Sequence, residues 1–135
     1  MKHKLNPSVK KKWIEALRSG KYTQCRAVLK KTSDSDPSPS FCCLGVLCDI
    51  YINEHDGVDW KHDVYSNTIQ FSDNFPPDDV IVWAYNGHEH KRKSDNLGEQ
   101  AFQIKYNGFN LNLWQLNDVN KKSFNEIADV IEDQL

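Results

Sequence analysis

Apolar residues return along this chain in two rhythms, and each rhythm predicts a different element. Over residues 6–20 the spacing is helical: Val9, Trp13, Ala16 and Leu17 share a face, with Ile14 beside them, while Lys10, Lys11, Lys12 and Glu15 turn outward. Asn6 suits the N-cap and Pro7 the first helical position, where a missing N–H costs nothing. Arg18 complements the negative end of the helix dipole, and Gly20 supplies a left-handed stop. Residues 42–54 form an almost uninterrupted apolar run. Leu44, Leu47, Cys48 and Tyr51 make one stripe, and Cys43, Val46 and Ile50 widen it to nearly the whole circumference. A buried strand over 41–47 is the rival reading, but the length favours a buried helix.

The opposite rhythm, strict alternation, occupies residues 102–113. Phe102, Ile104 and Tyr106 alternate with polar residues before Asn107-Gly108, and Phe109, Leu111 and Leu113 do so after it. A two-residue Asn-Gly turn fixes the register, so Tyr106 faces Phe109, Ile104 faces Leu111 and Phe102 faces Leu113. Six apolar side chains on one face of a hairpin require a cover. After it, Ser123 and Glu126 have the spacing of a capping box, followed by Phe124, Ile127, Ala128, Ile131 and Leu135 on one helical face.

The remaining segments are weaker. Residues 21–31 have a strand-like middle at 25–29, and residues 32–40, rich in Ser, Asp and Pro, read as a loop. Short β-leaning pieces lie within 56–73. Pro76, Pro77, Asp78 and Asp79 open a further helix containing Val80, Ile81, Trp83 and Ala84, which Asn86-Gly87 ends. Residues 88–98 are polar and irregular. There is no internal repeat. The expected architecture is one α+β domain spanning 1–135, an antiparallel sheet including the 102–113 hairpin packed against several helices, with the 42–54 helix at the centre.

At 135 residues, 39% of them apolar, the chain has the material for a single core without a metal or disulfide. A net charge of −2 gives no global attraction for nucleic acid or acidic membranes. The basic stretches at 2–12, 30–31 and 88–93 are not interleaved with stacking aromatics, which also argues against nucleic acid. No apolar leader follows the basic start and no run is long enough to span a membrane, so the expected location is the cytoplasm. There Cys25, Cys42, Cys43 and Cys48 read as reduced thiols that fill the core.

Candidate chemistry is sparse. A cysteine nucleophile needs a lowered pKa and a neighbouring base, and the five histidines all fall in polar segments. Zinc-type Cys-x-x-Cys spacing is missing, and His88 with His90 sits in a polar stretch. Asp118 to Glu126 has alternating oxygen ligands, but the span is too short for a calcium loop and Lys122 stands where an oxygen is required. Neither a metal nor a cofactor is therefore expected. For binding, the polar residues at element ends are the candidates: Arg18, Tyr22 and Arg26, with Asn117 and Asp118 between the hairpin and the last helix. Their structural alternatives are a dipole partner for Arg18 and turn formation for Asn117 and Asp118.

Four blocks together carry a resemblance: residues 13–22 (WIEALRSGKY), residues 41–49 (FCCLGVLCD), the Pro-led segment ending in Trp83-Ala84, and Leu116-Asn117-Asp118 with Phe124, Ile127, Ala128, Asp129, Ile131 and Glu132. In this order they resemble a family of small proteins encoded by tailed bacteriophages and prophages. The chain departs from that pattern at Cys25, where a small residue is expected, and in a longer stretch around 89–103. The resemblance implies a setting, the cytoplasm of an infected cell, and no catalytic residues. The expectation is a non-enzymatic binder of a host protein or small molecule, in a counter-defence role by analogy; the alternative is a small hydrolase or transferase using Cys42 or Cys43. Oligomeric state is not legible.

Overall fold

The computed structural model describes residues 4–31, 38–55, 76, 78–86 and 101–135. Helix α1 (Pro7–Arg18) begins where the sequence places it: Asn6 Oδ1 accepts from the backbone N–H groups of Ser8 (3.0 Å) and Val9 (3.3 Å). Gly20, with φ of 76°, ends it. Strands β1 (Thr23–Gln24), β2 (Lys30–Lys31) and β3 (Ser40–Phe41) form a small sheet in the order β1-β3-β2, parallel between β1 and β3 and antiparallel between β2 and β3. The expected strand at 25–29 is corrected: the strand residues flank that segment. Ala27 turns with φ of 73°, a conformation that Ala seldom adopts and that nothing in its sequence signals.

Helix α2 (Cys43–Glu54) is the expected central element, with Cys43 to Cys48 and Tyr51 buried. Cys42 caps it, its Sγ accepting from Gly45 N–H at 3.3 Å. Gly45 is required by proximity: a Cβ there would overlap the backbone carbonyl of Leu29. The carbonyl of Leu29 also accepts from Cys42 N–H at 3.2 Å, so the 26–29 turn lies directly on the start of the helix.

Helix α3 (Asp78–Asn86) buries Val80, Ile81, Trp83 and Ala84, as expected. Strands β4 (Gln103–Tyr106) and β5 (Phe109–Asn112) pair in the expected register, Tyr106 with Phe109 and Ile104 with Leu111, around Asn107 (φ 50°) and Gly108 (φ 83°). The hairpin's face is covered only at its base. Phe102, Ile104 and Leu113 are buried, Tyr106 and Leu111 half-buried, and Phe109 at the tip is 69% exposed. Its cover comes from α1 through Trp13, from α3 through Tyr85, and from Gln134, which pairs with the Lys105 backbone. Helix α2 instead packs chiefly on α1, α3, β3 and the helix that follows the hairpin.

That helix, α4 (Leu113–Asp118), differs from the sequence expectation, which has Asn117 and Asp118 as turn formers. Its start is a capping box between Asn112 and Gln115. Helix α5 (Phe124–Gln134) opens on the Ser123–Glu126 capping box and buries Phe124, Ile127, Ala128 and Ile131. It packs along α1. The result is α+β: five helices and two small sheets among the described residues, around one apolar core. The β-leaning pieces within 56–73, the Gly87 stop, and the irregular 88–98 lie outside the described residues.

Candidate functional site

The polar residues singled out by sequence divide into two groups. Arg26, Asn117 and Asp118 come together where the 25–29 turn, the start of α2 and the end of α4 meet. Asn117 is the centre and is fully buried. Its Oδ1 accepts from Cys43 N–H (3.2 Å) and from Gln24 Nε2 (2.8 Å). Its Nδ2 donates to Cys25 O (2.8 Å) and to Asp118 Oδ1 (2.8 Å). Arg26 Nε donates to the Asn117 carbonyl at 3.2 Å and holds an exposed guanidinium beside the junction. Gln24, which the sequence reading does not single out, is the missed member: its amide also donates to Lys122 O at 2.8 Å.

Asn117 was expected as a surface contact residue. The structure places it in the core with both polar atoms of its amide occupied, so of the three candidates at this junction Arg26 and the half-buried Asp118 reach solvent.

Arg18 and Tyr22 sit apart. Arg18 Nη2 bridges Asp129 Oδ1 and Glu132 Oε2, both at 2.7 Å, linking α1 to α5; the two carboxylates raise the guanidinium pKa further. Tyr22 donates its hydroxyl to Asp49 Oδ2 at 2.7 Å and sets its ring edge-on to Phe41, with centroids 5.1 Å apart. Burial, then the Asp49 hydrogen bond and charge, push its phenol well above the ordinary range.

The thiols are not activated. Burial pushes Cys42 up to about 11 despite the Gly45 N–H, and it raises Cys43, Cys48 and Cys25 as well. His55, the histidine among the described residues, lies at the other end of α2 from Cys42 and Cys43, about 18 Å along a helix of this length. There it stacks on Tyr51 with centroids 4.0 Å apart. Among the described residues no group of three His, Cys, Asp or Glu side chains is placed to hold a metal ion. His88 and His90 lie outside them. In the 118–126 stretch, Glu126 is committed to the cap: Oε1 accepts from Ser123 N–H at 3.2 Å, and the Ser123 backbone and hydroxyl hold its carboxyl below the usual range.

The sequence model of the DUF8296 family, a domain of unknown function, matches residues 5–135. The chain belongs to that family. The match runs through the α1 start, the 25–29 turn, the Asn117 junction and α5, so all the geometry above lies within the family domain. No curated protein and no solved structure matches the chain. Among the described residues no helix is long and apolar enough to cross a membrane.

Proposed function

We propose that the chain is a non-enzymatic binding protein, an accessory protein of a tailed phage or prophage acting in the host cytoplasm, and that its partner is a host protein. The observation that carries the binding reading is the placement of exposed apolar side chains. Phe109 (69% exposed), Val119 (65%) and Trp114 (36%) are the exposed large hydrophobics among the described residues. All three fall within residues 109–119, at the hairpin tip, on α4 and at the C-cap of α4. Scattered surface apolar residues are ordinary, but large apolar residues, two of them aromatic, gathered in one short segment are what a protein contact uses. The four sequence blocks that resemble phage proteins support the setting.

The raised thiols weigh against the cysteine-enzyme alternative, because a nucleophilic cysteine needs its pKa lowered.

The test compares capture by the wild-type chain with capture by a Phe109→Ser, Trp114→Ser, Val119→Ser variant, both checked for equal melting temperature. A host protein held by the first, lost by the second, and rebuilt as a complex from purified components supports the reading. Equal retention by both chains overturns the assignment of the surface. Turnover of a substrate, abolished by Cys42→Ala or Cys43→Ala at unchanged stability, overturns the non-enzymatic reading itself.

A further inference from the structure

The parallel pairing of β1 with β3 has a chemical consequence. Its register sets Thr23 beside Ser40 and Gln24 beside Phe41. Cys25 N–H continues the ladder by donating to Phe41 O at 2.8 Å, and Cys42 keeps an extended backbone with φ of −81° and ψ of 174°. The next pair along the same register is therefore Cys25 with Cys42. Side chains alternate across a strand, so Thr23, Cys25, Ser40 and Cys42 point to one face and the Gln24–Phe41 pair to the other. In the reduced protein the Cys25 thiol donates to Val28 O at 3.5 Å, a contact the disulfide would replace. Neighbouring strands run about 4.8 Å apart, inside the Cα separation of about 4.4–6.8 Å that a disulfide spans.

We propose that Cys25 and Cys42, thiols in this structure, form a cross-strand dithiol that a small-molecule disulfide oxidises to an intramolecular disulfide, fastening the 26–29 turn to the cap of α2. The alternatives inside the molecule are poorer. Cys43 and Cys48 are fully buried, and Cys43 Sγ points toward Leu113 O at 3.9 Å, on the α4 side of the helix. Cys25 is the most exposed of the four at 9%; burial and the Asp118 charge raise its thiol pKa, which Lys31 and Arg26 only partly offset, so the attack needs alkaline conditions. It is the entry point. The Cys25 thiolate attacks one sulfur of the oxidant R–S–S–R, and R–S⁻ leaves and takes up a proton. Cys42, losing its proton to solvent, then attacks the Cys25 sulfur of the mixed disulfide, and the second R–S⁻ leaves. The protein loses two electrons and two protons, and the oxidant becomes two thiols.

The experiment treats the native chain with oxidised glutathione at mildly alkaline pH, blocks remaining thiols under native and then denaturing conditions, and maps the peptides without reduction. The expected product is lighter by two hydrogens, with Cys25 joined to Cys42, and with Cys43 and Cys48 blocked only after denaturation. Cys42→Ser, which keeps a favourable N-cap, is expected to stop at a stable glutathione adduct on Cys25. A Cys42–Cys43 link, a persistent adduct on wild-type Cys25, or four thiols that stay reduced under these conditions would each overturn the proposal.

Discussion

Asn117 joins the 25–29 turn and α2 to α4 from inside the core, whereas Arg18 joins α1 to α5 from the surface. Each ties together segments far apart in sequence. The first is neutral and fully buried, with four hydrogen bonds to its amide. The second is a charged fork 39% exposed, facing carboxylates 72% and 61% exposed. A buried amide repays its desolvation only if every polar atom is matched, so its worth lies in what is left unpaired when it goes. An exposed ion pair holds its partners against water and salt, which take its place at little cost. The two links should therefore fail in very different ways.

The largest effect is expected from Asn117→Ala. It strips the Cys43 N–H and the Cys25 carbonyl of their partner and should cost about 3 kcal/mol, read as a drop in denaturant midpoint at unchanged slope. A loss no larger than that of an average surface substitution would mean that water enters the junction and that its burial is nominal. Cys43→Ala sharpens the same point, because the residue keeps the backbone N–H that Asn117 accepts and loses only packed volume. It should cost about 1–2 kcal/mol, and a loss matching that of Asn117→Ala would show that packing, not hydrogen bonding, dominates this region.

Ser123→Ala tests a polar link at the surface that is built from backbone. Removing the α5 cap should cost about 1 kcal/mol. The cap also carries a pH signature. Glu126 is held below its ordinary pKa, chiefly by the Ser123 backbone N–H, so its contribution is complete above the ordinary carboxylate range. It is lost as pH falls through the depressed value. The wild type should show that acid-side loss and Ser123→Ala should show less of it; parallel curves would remove Glu126 from the account. The smallest effect belongs to Arg18→Ala, whose midpoint should approach that of the wild type as salt is raised. A large, salt-independent loss would refute the contrast between the two links.

The same contrast explains what was legible in the sequence. Local signals carried α1, α2, the hairpin and α5, because Asn6, Asn107-Gly108 and Ser123 with Glu126 act within a few residues of themselves. The α4 cap was equally local, Asn112 with Gln115, but was hidden by reading the alternation through to Leu113. Arg18 was legible as a cation at a helix end, though its partners on α5 were not. Asn117 was beyond reach. An Asn followed by Asp is the usual composition of a turn, and only the approach of residues 24, 25 and 43 turns it into a core residue. The positive φ of Ala27 likewise has no local signal in the sequence.

The packing of α1 along α5 bears on how the molecule is made. Leu5 N–H donates to Leu135 O at 3.2 Å, and α1 packs along a helix more than a hundred residues later in the sequence. Contacts of such long sequence separation slow folding relative to a bundle of local helix pairs, because the chain must close the full loop before they repay it. Docking of α5 on α1 is therefore expected to come late in folding, after the more local contacts of α1 with α2.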